Sequence, residues 1–67
     1  MPYVNIQVTQ ENVTGPQKAE LIAGVTELLT RVLGKDPLMT HVVIQEIDLD
    51  NWGVGGLPVP AFRARQS

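Results

Sequence analysis

The stretch Met1-Pro2-Tyr3-Val4-Asn5-Ile6-Gln7-Val8-Thr9 decides how the rest of the chain is read. It alternates cleanly, with Val4, Ile6 and Val8 on one side and Tyr3, Asn5, Gln7 and Thr9 on the other. That is the period of a half-buried β-strand. The proline in second place has a chemical consequence. A residue this small normally permits removal of an initiator Met1, which would leave Pro2 with a free secondary amine. No other backbone nitrogen of the chain would then be able to act as a base. The plainer reading is that proline merely opens an edge strand, where its missing N–H is not needed.

Beyond the strand, Gln10-Glu11-Asn12-Val13 is a short polar connection and Thr14-Gly15-Pro16-Gln17 reads as a helix start. The Thr14 hydroxyl can cap a free amide, Gln17 can reach back as the second half of a capping box, and Pro16 is tolerated in the first turn. Leu21, Ile22, Val25, Leu28, Leu29, Val32 and Leu33 then recur at the spacing of one apolar helix face. Gly34 is placed to end the helix in a left-handed turn, and Pro37 blocks a restart. Thr40 to Ile47 is β-branched and bounded by turn formers, so it predicts a second strand, with an apolar middle that implies burial on both faces.

Strand, helix, strand is a βαβ unit, whose two strands should lie parallel. The expected fold class is therefore α/β, a single βαβ subunit with a short C-terminal hairpin or turn segment. Residues 2–67 form one domain in this reading. Asp48 to Leu57, rich in acids and glycines, is the turn-rich segment, and residues 58–67, with two prolines and no period, are expected to be an extended tail. Two strands under one helix leave a sheet face and an edge bare. Other subunits are expected to cover them, burying Val4, Ile6, Val8, Val43 and Ile44.

The bulk numbers agree with self-association. A chain of 67 residues buries only about 60% of its unfolded surface. It has no cysteine, so neither a disulfide nor a thiolate metal site can staple it, and its one histidine, His41, does not make a zinc cage. No metal is expected. The net charge of -2, with five scattered cations, excludes a basic nucleic-acid stripe. The apolar runs fall far short of a membrane span, and no signal-like region opens the chain, so a cytoplasmic protein without membrane partners is expected.

Pro2, the capped helix with Gln17-Lys18, the strand ending Gln45-Glu46-Ile47, and Trp52-Gly53-Val54-Gly55-Gly56 together resemble the 4-oxalocrotonate tautomerase family, over Pro2 to about Leu57. The resemblance implies a tautomerase-type βαβ subunit that pairs into a four-stranded sheet, and a homohexamer made of three dimers. It also implies a cofactor-free isomerase that moves a proton between the oxygen and carbon ends of a 2-hydroxydienoate or related 2-keto acid, with Pro2 as base and then acid. Hydration or dehalogenation of an unsaturated acid by the same amine is an alternative, as is a non-catalytic oligomer of the same fold. The family's two substrate-binding arginines are not matched. Their positions fall near Asn12 or Val13, and at His41.

Four further residues are candidate substrate contacts. His41 could polarise a carbonyl, although a neutral imidazole donates one hydrogen bond where a guanidinium offers a charged fork, and a packed strand histidine is the simpler reading. Trp52 stands where the family usually has a phenylalanine, as an apolar wall beside the amine. Arg63 and Arg65 would ordinarily be solvated tail charges, but as spare cations they could replace the absent arginines. Gly53, Gly55 and Gly56 are read as turn glycines, and Glu46, Asp48 and Asp50 as a solvated loop.

Overall fold

The structure, a computed structural model, describes residues 1–66. Strand β1 (Tyr3–Thr9) leads into helix α1 (Gly15–Leu33), and strand β2 (His41–Ile47) returns beside β1. The two strands pair in parallel, Tyr3 opposite His41 through Thr9 opposite Ile47. This is the expected βαβ unit. The helix starts as its sequence dictates: the Thr14 hydroxyl accepts from the Gln17 amide at 3.2 Å, and the Gln17 side chain accepts from the Thr14 amide at 2.9 Å. Gly34, at φ 67°, ends it, with its N–H returned to the last turn. A 3-10 turn at Pro37–Met39, capped by Asp36, leads into β2.

Residues Val4, Ile6, Val8, Val42 and Ile44 form a half-buried row on the face that also carries Glu46. Lys18 of α1 reaches Glu46 at 2.5 Å, which places the helix over that face. The other face is polar. Asn5 donates to the Tyr3 hydroxyl at 3.1 Å and to the Gln45 side chain at 2.8 Å, and Gln7 donates to the same Gln45 oxygen at 3.1 Å. This corrects the expectation for the bare face. Of the residues expected there, Val43 alone lies on it; Val4, Ile6, Val8 and Ile44 are under the protomer's own helix. Burial along β2 alternates rather than covering both faces, because one helix covers one side only.

After β2, Asp48 caps a 3-10 turn at Leu49–Asn51, accepting from the Asp50 amide at 3.0 Å. Strands β3 (Gly53–Val54) and β4 (Leu57–Pro58) then pair antiparallel, as the expected small hairpin. Gly55 and Gly56 connect them with φ of 59° and 84°, and a two-residue hairpin loop of this hand needs positive φ at both positions. The expected extended tail is overturned. Val59–Gln66 is a second helix, α2, and Ser67 lies outside the described residues. Pro60 falls in the first turn, where no intrahelical N–H is required, and Ala61, Arg63, Ala64, Arg65 and Gln66 are good helix formers.

The protomer has almost no interior. Val59, 4% exposed, is the one buried residue among those described. The chain extends over 44 × 23 × 18 Å with a radius of gyration of 15.4 Å, where a compact domain of this length has about 11 Å. On α1, Val25 and Leu29 are half-buried, whereas Leu21, Ile22, Leu28, Val32 and Leu33 remain exposed. The apolar face of α1 is wider than the two-stranded sheet can cover.

Candidate active site

Pro2 precedes β1 and is half-buried. Its carbonyl accepts from the His41 amide at 3.0 Å, so the parallel ladder continues one step past the strand and holds Pro2 from one side. His41 follows as the first residue of β2, beside Tyr3 on the polar sheet face, with its side chain exposed. Pro2 and His41 are thus brought together at one end of the sheet.

Trp52 and Arg63 are at the other end. They line an open cleft of about 460 Å³ together with Gln7 and Thr9 of β1, Val59 and Phe62. From Pro2 to Thr9 is seven residues of extended chain, about 23 Å at the rise of a β-strand. One protomer therefore does not bring its own Pro2 to its own Trp52. The main chain of Trp52 is held on both sides: its amide donates to the Leu49 carbonyl at 3.3 Å, and the Val59 amide donates to its carbonyl at 2.9 Å. The hairpin turn also backs this cleft, since a Cβ on Gly55 would stand 3.7 Å from the Phe62 ring.

Arg63 is not the spare cation that an extended tail would have delivered. Its Nη1 donates to Glu11 Oε1 at 2.6 Å, and the Thr9 hydroxyl donates to the other oxygen of Glu11. The hydrogen bond from Arg63, then that from Thr9, hold the Glu11 carboxyl well below its usual range, at about 2. Arg65, exposed and two residues on, does not line the cleft. Asn12, near the first unmatched arginine position, sits in the left-handed region at φ 66° with an exposed side chain, a conformation that asparagine tolerates. Sequence reasoning did not single out Glu11, Thr9 or Phe62. The helix formers after Pro60 were the available signal for α2, but no local signal links Glu11 to a residue 52 positions away.

The acids of the second strand and its loop have structural partners. Glu46 pairs with Lys18, and Asp48 caps the turn at Leu49–Asn51.

With this geometry in place, the relatives are informative. The model of the tautomerase enzyme family matches residues 2–61. The chain is 52% identical over its full length to the whole of the probable tautomerase K2 of Dickeya dadantii. It superposes on the crystal structure of DmpI from Helicobacter pylori with a TM-score of 0.87, at 40% identity, covering 94% of this chain and 97% of that one. It also superposes on a heterohexameric 4-oxalocrotonate tautomerase of Chloroflexus aurantiacus J-10-fl with a TM-score of 0.80, at 25% identity, over 90% of this chain and 95% of the other. The chain belongs to the tautomerase family. It is an isomerase with tautomerase-type activity, related to 4-oxalocrotonate tautomerase.

Proposed function

We propose that the protein interconverts the enol and keto forms of a 2-hydroxydienoate or related 2-keto acid, with the Pro2 amine as the proton carrier. The neutral nitrogen takes the proton of the enol hydroxyl. The enol oxygen closes to a carbonyl, the carbon–carbon π pair moves towards the distal carbon, and the protonated amine returns a proton to that carbon. The substrate is isomerised with no net gain or loss of electrons or protons. Such a base works best with a pKa near the operating pH. An α-amino group titrates at about 8 in water, and a half-buried setting lowers an amine's value.

The observation that carries this reading is the position of Pro2. It is the residue at which the family match begins, and its carbonyl is tied to His41 so that its nitrogen would be held in a fixed place. The chemistry requires a chain without Met1, because behind a methionine the Pro2 nitrogen is an amide with no basic lone pair. Intact mass paired with turnover of 2-hydroxypenta-2,4-dienoate or phenylenolpyruvate tests it. The form beginning at Pro2 is expected to be active and the Met1-retaining form inert. Full activity with Met1 in place would exclude the amine mechanism.

The working form is, in this reading, a homohexamer of three dimers, acting on a small molecule and located in the cytoplasm. Support for association comes from the thin protomer with one buried residue among those described, the exposed apolar residues of α1, and the heterohexameric assembly of the relative from Chloroflexus aurantiacus. Association also supplies what a single chain lacks, a Trp52 cleft beside a Pro2. His41 and Arg65 remain candidates for substrate contacts within such an assembly. No helix among the described residues is long and apolar enough to cross a membrane.

A further inference from the structure

We infer that Arg63 of α2, held in place by Glu11, binds the carboxylate of a monoacid substrate whose unsaturated or aromatic body lies against Trp52. The assignment rests on the reading above in one respect, that the Pro2 acting on this substrate belongs to a neighbouring protomer.

Three observations carry it. First, Arg63 is anchored. Its Nη1 is engaged by Glu11, whose second oxygen is taken by the Thr9 hydroxyl, so both carboxylate oxygens of Glu11 are occupied. Second, Arg63 is not exhausted. A guanidinium has five donors, and Nε and Nη2 donate to no other described residue. These two nitrogens present an edge that suits a planar carboxylate, which prefers a two-point contact with arginine. Third, the surroundings are those of a binding cleft. Trp52, Val59 and Phe62 supply apolar wall, and Gln7 and Thr9 supply polar edge.

The same geometry limits the ligand to one acid group. Among the described residues Arg63 is the one cation lining the cleft, and the Glu11 charge beside it opposes a second anion. The two free donors and the aromatic wall, rather than net charge, then provide the recognition. A diacid would bring a further carboxylate into a cleft with no partner for it, and an unpaired anion loses its hydration without compensation. Arg65, outside the cleft, contributes nothing to this contact.

Trp52 is the chain's single tryptophan, so its fluorescence reports on the cleft without any turnover. The experiment titrates the assembled protein with 3-phenylpropanoate and with its uncharged analogue 3-phenylpropanamide. Wild type is expected to bind the acid more tightly than the amide. Arg63→Ala and Arg63→Gln are expected to weaken the acid by roughly ten- to a hundredfold, as for loss of a charge-assisted hydrogen bond, with the amide unchanged. Equal loss for acid and amide would mean that Arg63 only fastens α2, and would overturn the assignment. So would acid binding that is indifferent to Arg63, or no preference for the acid in wild type. Turnover by Pro2→Gly separates the two readings: if it is undiminished while Arg63→Ala still loses the acid, the amine mechanism falls and the Arg63 assignment stands.

Discussion

The amide of His41 donates to the carbonyl of Pro2 at 3.0 Å, the first bond of the β1–β2 ladder. It uses the Pro2 oxygen and leaves the Pro2 nitrogen uncommitted. A residue placed by the strand but not consumed by it is what a terminal amine catalyst requires. The ladder runs on through Thr9 opposite Ile47 to the Gln10 amide, which donates to the Ile47 carbonyl at 2.7 Å. Position at one end of the sheet is therefore tied to order along the whole of β1.

That arrangement predicts a pH effect. With Met1 removed, kcat/KM should rise as pH passes through the amine's pKa, since only the neutral nitrogen accepts a proton. Pro2→Gly keeps an amine but loses the ring that fixes it. A fall of about a hundredfold or more is expected, within the usual range for loss of a positioned acid–base group. A flat profile would assign the proton to another group.

Acid should loosen α2. The Glu11 carboxyl titrates at about 2 in the folded chain against an ordinary 4.5, so it binds its proton more weakly when folded. Its contribution to stability is therefore complete above about pH 4.5 and is lost as pH falls through about 2. The pair is partly exposed, so salt should weaken it as well. Protection of the Val59–Gln66 amides, taken relative to their intrinsic exchange rates, should fall across this window and be less pH-dependent in Glu11→Gln. Equal sensitivity in both proteins would show that other carboxyls drive the change.

Local chemistry explains which parts of this fold were legible in the sequence. Thr14, Gln17 and Gly34 state the limits of α1 by their own hydrogen-bonding and dihedral preferences, and the alternation of Val4, Ile6 and Val8 states β1. The paired glycines at 55 and 56 identified the turn region for the same reason. The rest depends on tertiary arrangement. Two prolines hid α2 because its helix formers compete with a turn-rich neighbourhood, and docking of Val59 and Phe62 beside Trp52 accompanies the helical outcome. Which sheet face is polar depends on the side that the helix takes, and apolar content along a strand does not state that. In the site, Pro2 was legible from its place, but the Arg63–Glu11–Thr9 cluster is a contact between distant parts of the chain.

Removing the helix cap should cost stability without touching chemistry. Thr14→Ala deletes the oxygen that accepts from the Gln17 amide, and exposed caps of this kind are worth about 1 kcal/mol. Thr14→Ser retains the oxygen and should stay close to wild type. Chemical denaturation at one fixed protein concentration is the measurement, because association shifts the apparent midpoint. A Thr14→Ser variant as weak as Thr14→Ala would implicate the methyl group rather than the cap.

Association should depend on the apolar cluster at the end of α1 and the turn after it. Val32, Leu33, Leu38 and Met39 are 61%, 59%, 90% and 45% exposed in the protomer, which is unusual for large apolar side chains so close in sequence. Burying a leucine or valine side chain is worth about 1.5–3 kcal/mol, and no described segment of the protomer covers Leu38. A second copy of the chain is the available cover in a pure preparation. Leu38→Asp places a charge where that contact would form, so it should shift sedimentation towards smaller species at micromolar concentration. Leu38→Met keeps the apolar volume and should retain the wild-type assembly. Because Val59 alone among the described residues is buried in a separated protomer, the Leu38→Asp chain should also melt at lower temperature and lose turnover together with assembly. A Leu38→Asp protein that sediments and turns over as wild type would exclude this surface from the interface. The covering contact would then have to be sought on the exposed side of α1 that carries Leu21, Ile22 and Leu28.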